Sequence, residues 1–421
     1  MLRLVYSFLH TLLLPVLFLR LWRRSAVNPD YRRRWRERLG RPAVSPLRTQ
    51  TLVWVHAVSV GESMAARSLI ETWRESMPDV QFLVTTTTPT GSALVRDWGE
   101  LPVLHQYMPF DLVSMYRSLF LHYRPALIVL METEVWPNLI WLANRTETPI
   151  ALANARMSAR SVRGYQRFPW LSRPAFAGLS RVLAQSEGDS ERLQSLGARS
   201  DRTAVTGSIK YDIRLTEDDL QAQAALRQRI SDRPIMVAGS LHPGEEDVVL
   251  NAYRSLLMVY PRLILVVAPR HQERFEPMAE KLKGLNMAYA RRSLDQVPES
   301  GQSVWLLDTL GELKLFYGLA RVALVGGSWV DRGSHNPLEP AMQGIPVVTG
   351  PSVFNFSEAV TLLRDAGALK QTSARDLYKV LLDWLGDDAA RQQAGEAGQA
   401  VVAANQGATR RQVEALQSLL R

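Results

Sequence analysis

Hydrophobic and polar positions divide the 421-residue chain into distinct regimes. At the start, "LVYSFLHTLLLPVLFL" (Leu4 to Leu19) is an apolar run between Arg3 and Arg20. From residue 51 short apolar runs alternate with longer amphipathic ones. "TLVWVHAV", "VQFLVTTT", "PALIVLM", "PIALANA" and "RVLAQS" each end in small or polar residues before a helix-period pattern begins. The alternation lapses over "TGSIKYDIRLTEDDLQAQAALRQRISDRP" (Thr206 to Pro234), a charged stretch without a strand-like run. It resumes with "PIMVAGS", "RLILVVAP", "SVWLLD", "VALVGGS" and "IPVVTG". Strand-like runs alternating with helical ones predict parallel sheets. Two such series predict an α/β protein of two Rossmann-like domains facing a central cleft, lined by the carboxyl ends of the strands.

The pattern sets the boundaries. Residues 1–45 read as an apolar anchor followed by an Arg-rich membrane-surface segment, 46–215 as the first domain, 216–232 as a linker, 233–395 as the second domain and 396–421 as a C-terminal helix. As a helix, Leu4 to Leu19 would span about 24 Å, a little short of a hydrocarbon core of about 30 Å, so crossing the bilayer and lying in its interface both stay open. Trp22 and "YRRRWRERLGR" (Tyr31 to Arg41) follow, mixing Arg with interfacial aromatics that suit anionic headgroups. A cleaved signal peptide would carry its basic flank before the apolar run, and here the Arg cluster comes after it. That order keeps the cluster, and the body behind it, on the cytoplasmic side.

Charge sharpens this picture. Residues 1–50 hold eleven Arg against Asp30 and Glu37, which accounts for the whole net charge of +9. The body is balanced, so nucleic acid is not an expected partner. There is no Cys and the seven His show no metal-ligand spacing, so a disulfide framework and a thiolate zinc site are excluded.

Candidate chemistry sits at strand ends. In "VHAVSVGESMAARSLIETW" (Val55 to Trp73) the turn between strand and helix carries Glu62, where an anion-binding turn would avoid a carboxylate. Thr85 to Thr88 and Met131-Glu132-Thr133-Glu134 end two further strands of the same domain. Carboxylates gathered in a partly buried cleft acquire raised pKa values and serve as general bases. In the second domain, Pro269, Arg270 and His271 follow a strand, and a guanidinium there can grip a phosphate. Leu310-Gly311-Glu312 opens a helix, whose free N–H groups suit a phosphate or a pyrimidine edge. Gly326-Gly327 permits close backbone approach, Asn336 can cap the next helix, and Glu339 can accept hydrogen bonds from a ribose diol.

The order of these pieces resembles the nucleotide-binding half of the GT-B sugar-nucleotide glycosyltransferases. Within them it resembles the 3-deoxy-D-manno-octulosonic acid (Kdo) transferases of lipopolysaccharide synthesis. The motifs that carry the resemblance are the apolar anchor, "HAVSVGE", "METEVWPN", "NARMSARS", "GSIKYD", "APRHQERF", "TLGEL" and "RGSHNPLEPA", covering nearly the whole chain. Ser334 and Leu310 depart from the Gly and Met expected there.

The resemblance implies transfer of Kdo from CMP-Kdo to a hydroxyl of the lipid A precursor (lipid IVA), on the cytoplasmic face of the inner membrane and its anionic surface. It places the catalytic base at Glu62 and the CMP contacts at Pro269, Arg270, Leu310, Gly311, Glu312, Asn336, Pro337, Leu338 and Glu339. It implies no cofactor and no metal, in keeping with "EDD" (Glu217 to Asp219) and "GDD" (Gly386 to Asp388), which sit in helical or linker stretches rather than after strands. Glu132 is a candidate to tune Glu62. Lys210, Arg156, Arg160 and Arg163 are candidates for the Kdo carboxylate or acceptor phosphates. The alternatives are a GT-B transferase with a UDP-sugar donor and a lipid-linked acceptor, a GT-B-shaped epimerase and a non-catalytic membrane scaffold.

Overall fold

The computed structural model describes residues 2–420 apart from 48, 100 and 231. It divides into two compact units, one running to Asp212 and including the C-terminal segment from Gln406, the other covering Ile213–Asn405.

The first unit is built on seven strands, β1 (Leu52–His56), β2 (Gln81–Thr86), β3 (Leu104–Tyr107), β4 (Leu127–Met131), β5 (Ile150–Ala155), β6 (Arg181–Ala184) and β7 (Thr203–Val205), in the order β3-β2-β1-β4-β5-β6-β7. Every pairing is parallel. Helices cover both faces, which is why the strand runs are apolar without alternation. On one face Leu52 and Trp54 pack with Tyr116 and Leu119, and on the other Val53 and Val55 pack with Leu69, Ile70 and Trp73.

The second unit repeats the design with β8 (Ile235–Leu241), β9 (Ile264–Pro269), β10 (Tyr289–Arg291), β11 (Val304–Leu306), β12 (Val322–Val325), β13 (Val347–Thr349) and β14 (Leu369–Gln371), in the order β10-β11-β9-β8-β12-β13-β14. In each sheet the strand order reverses once, between β1 and β4 and between β8 and β12. Loops leaving the two strands of such a pair diverge to opposite faces and open a crevice at their carboxyl ends.

Two boundaries differ from the pattern in the sequence. The stretch assigned to a linker forms a helix, Glu217–Arg229, started by a capping box between Thr216 and Asp219. It buries Leu226, with Ile230, in the core of the second unit. Its apolar positions are too few to announce a packed helix. The C-terminal segment also divides, since helix Asp388–Asn405 stays with the second unit and helix Ala408–Gln417 returns to the first. There Val413 and Leu416 join the core beside Trp73, and the Gln412 side chain accepts the Asn154 N–H at 2.8 Å. Asp212 accepts the Gly407 N–H, the Thr409 N–H and the Thr409 hydroxyl, each at 2.6 Å.

The N-terminal helix runs Leu2–Arg24, longer than the apolar stretch alone. Its segment Arg3–Arg24 is long and apolar enough to cross a membrane. One face is tied to the first unit: Arg3 and Ser7 donate to Asn138 Oδ1 at 2.8 and 3.0 Å, and Tyr6 donates to Asp111 at 2.9 Å. The opposite face exposes Leu4, Phe8, Leu12, Val16 and Leu19.

Candidate functional site

The reversal between β1 and β4 gathers the carboxylates. Helix Val60–Ser76 leaves β1 with Ser59 as its N-cap, in extended backbone, accepting the Glu62 N–H at 3.4 Å. The Glu62 carboxylate reaches back in turn, accepting the Val58 N–H at 2.7 Å and the Ser59 hydroxyl at 3.1 Å. Ser-x-x-Glu is the spacing of a reciprocal helix cap. Glu62 is therefore fixed in place by the backbone it caps. Burial raises its pKa, the Val58 hydrogen bond opposes the rise, and the charge of Glu132 adds to it.

Glu132 and Glu134 follow β4. Glu132 holds left-handed backbone, with φ of 56°, and lies 3.6 Å from the Arg156 guanidinium. Glu134 is pushed up to about 7 by burial, then by the charges of Glu62 and Glu132. Its Oε2 stands 4.0 Å from His56 Nε2 at the end of β1. The His56 ring is wholly buried with Nδ1 3.0 Å from the Thr85 carbonyl, and burial lowers it to about 4. Thr85 is committed to scaffolding, since its hydroxyl also takes the Trp54 indole N–H at 2.9 Å. Arg160 and Arg163 are exposed on helix Ala159–Gln166, and Lys210 lies in the short helix Ile209–Tyr211.

In the second unit the loops after β8, β9 and β12 converge. Pro269 is buried at the end of β9, and Arg270 next to it is exposed, without an ion pair or side-chain hydrogen bond among the described residues. Its charge is felt at His335 and Glu339. Asn336 accepts the Leu338 N–H at 3.0 Å and donates to Glu339 Oε1 at 3.2 Å. Burial raises the Glu339 pKa, and the Asn336 bond offsets part of it. Leu338 is wholly buried and Pro337 buried, so both side chains help to shape the turn. Leu310 is exposed, and Gly311 has φ of 83° with open space where a side chain would stand. The Glu312 carboxylate is already held by the Arg292 guanidinium at 2.7 Å and by the Thr309 hydroxyl. The helices opening at Leu313 and Leu338 are five residues each, so little dipole is available there.

The structure also assigns a part to residues that the sequence pattern passed over. Glu245, wholly buried, accepts four backbone N–H groups, from His242 at 2.9 Å, Gly327 at 2.7 Å, Ser328 at 2.9 Å and Trp329 at 2.9 Å. It staples the loop after β8 to the loop after β12. A Cβ at Gly326 would stand 2.4 Å from the Ser240 carbonyl, so only glycine allows this approach. Consecutive acids in "HPGEED" gave the only signal, and they read as a helix N-terminus.

Two parallel-sheet α/β units, one with carboxylates and the other with an exposed guanidinium at strand ends, have the architecture of the two-domain GT-B fold. The fold is shared with the UDP-GlcNAc 2-epimerase from Neisseria meningitidis bound to UDP-GlcNAc, at a TM-score of 0.60, 15% identity and coverage of 88% of this chain and 100% of that one. A glycosyltransferase from Rickettsia africae superposes with a TM-score of 0.56, 13% identity and coverage of 88% and 99%. Residues 33–213 match the 3-Deoxy-D-manno-octulosonic-acid transferase (kdotransferase) family. The 3-deoxy-D-manno-octulosonic acid transferase of Haemophilus influenzae is 37% identical over 94% of this chain and 93% of its own length. The chain belongs to the 3-deoxy-D-manno-octulosonic acid transferase family.

Proposed function

We propose that this chain transfers Kdo from CMP-Kdo to the lipid A precursor lipid IVA by a single inverting displacement, with Glu62 as general base. The observation that carries the reading is the Glu62 carboxylate, pinned by Val58 and Ser59 at the crevice of the first sheet with its proton affinity raised. A sugar hydroxyl is a poor nucleophile, and a positioned base is worth about 10²- to 10⁴-fold. Glu132, against Arg156, and Glu134 set the field in which Glu62 works. Lys210, Arg156, Arg160 and Arg163 supply positive charge for the Kdo carboxylate or the acceptor phosphates.

On the donor side Arg270 receives the phosphate, the open turn at Leu310-Gly311-Glu312 admits the base, and the Asn336–Glu339 pair meets the ribose diol. The single phosphodiester charge of the donor is met by a guanidinium, so the reaction as proposed uses no metal. The N-terminal helix and the Arg-rich stretch hold the chain on the cytoplasmic face of the inner membrane, next to its lipid acceptor.

Glu62→Gln tests the assignment. The variant is expected to bind CMP as the parent does while kcat for Kdo transfer drops by about 10²- to 10⁴-fold. Near-normal turnover would refute Glu62 as the base, and inhibition of the parent by UDP but not CMP would refute the donor.

A further inference from the structure

The loops stapled by Glu245 carry a second feature. His242, just after β8, and His335, just before Asn336, meet with their Nε2 atoms 2.8 Å apart and their rings within 10° of parallel. At that distance one Nε2 carries a proton and donates it to the other. In the neutral pair the accepting ring must then bear its proton on Nδ1, and the donating ring has a bare Nδ1 lone pair. Neither imidazole makes another hydrogen bond among the described residues. The neutral pair thus offers one N–H donor and one lone pair to its surroundings.

Those surroundings are cationic. Arg270 from the end of β9 and Arg332 from the loop after β12 direct their fixed charge at the pair, past the His271 ring that stands edge-on to His242 at 5.4 Å. Among the described residues the one facing carboxylate is Glu245, whose oxygens are engaged by four backbone N–H groups. Burial and these positive neighbours keep both rings short of a proton, His335 down to about 3. An anion arriving beside Arg270 reverses that balance. A proton added at the bare Nδ1 turns the pair into a bridged cation with two N–H donors.

We propose that His242 and His335 are a proton-sharing, anion-binding pair in the donor half, which takes up one proton when a phosphate binds next to Arg270. The inference rests on the CMP-sugar donor reading and deepens it. A CMP-ulosonate donor carries two anionic groups, the phosphodiester and the sugar carboxylate. Arg270 supplies one fixed positive charge, and the protonated pair supplies the second. The leaving phosphate, more charged than the bound diester, gains most from it.

CMP is the probe. Titrated into the full-length protein between pH 6.5 and 8.5, it should bind more weakly as pH rises, threefold or more per pH unit, because above pH 7 the phosphate has already lost its own proton. Calorimetry in two buffers of unequal ionisation heat should count roughly half to one proton taken up per CMP at pH 7.5, a reading that needs no variant. H242Q and H335Q keep a hydrogen-bonding group at the Nε2 position without a basic site, and each should flatten the slope. A proton count of zero, or the same slope in parent and variants, overturns the inference while leaving CMP as the ligand. Failure of the parent to bind CMP at any pH overturns the donor reading and the pair's role with it.

Discussion

Glu62 does two things at once: it closes the cap that starts its helix, and it presents a carboxylate whose geometry the cap fixes. Glu62→Asp, one methylene shorter, cannot reach the Val58 N–H from the same backbone, so loss of activity is expected together with a drop in stability of about 1 kcal/mol. Thermal unfolding beside turnover separates the two. Glu134 makes a prediction of the opposite kind. Its pKa rises from 4.5 unfolded to about 7 folded, so the native state holds a proton that the unfolded chain has released. Its contribution is favourable below the lower value and is lost as pH climbs through the higher one. Glu134→Gln should therefore raise the unfolding free energy at pH 8 by an amount on the order of 1–3 kcal/mol, read as a higher melting temperature, and give little gain at pH 4.5. A gain independent of pH would contradict the assignment. Among these residues, Glu62, Glu132 and Arg270 were legible because strand-end positions can be counted along the chain. The role of Glu245 and the His242–His335 contact were not, since three of the four Glu245 donors and the His335 ring lie 82 to 93 residues from their partners.

At the level of elements, carboxylates fasten segments distant in sequence. Glu245→Ala would leave four buried or partly buried N–H groups without their acceptor, and the second unit should lose at least about 3 kcal/mol along with much of its CMP affinity. Chemical denaturation with a CMP titration checks both. Asp212 plays the same part for the C-terminal helix. Asp212→Ala should cost about 3 kcal/mol in the first unit and open the chain near Gln406 to limited proteolysis, with the second unit's melting unchanged. Unaltered cleavage near Gln406 would mean that Val413 and Leu416 hold the helix without the cap. The return of this helix was invisible in the sequence. Its Ala- and Gln-rich pattern gave a helix, but which sheet it covers depends on which core lacks a side chain beside Trp73.

For the molecule as a whole, the exposed apolar face of helix Leu2–Arg24 and the Arg cluster behind it predict two separable modes of membrane attachment. The full chain should co-sediment with anionic vesicles even at high salt, because apolar burial is unscreened. A variant lacking residues 2–24 should bind only at low ionic strength, through the remaining arginines. Equal salt sensitivity of the two would rule out an anchoring role for the helix. The chain alone determined two parallel-sheet units, because strands buried on both faces must be apolar throughout and each must be followed by a helix. It also determined the order of the strand-end motifs and the apolar composition of the N-terminal helix. The tertiary structure decided where the sheet order reverses, hence which strand ends open a crevice. It also decided which face of the first helix is tied to Asp111 and Asn138, and that two imidazoles meet beside Arg270. Those outcomes depend on contacts between segments far apart in the chain, and no local periodicity encodes them.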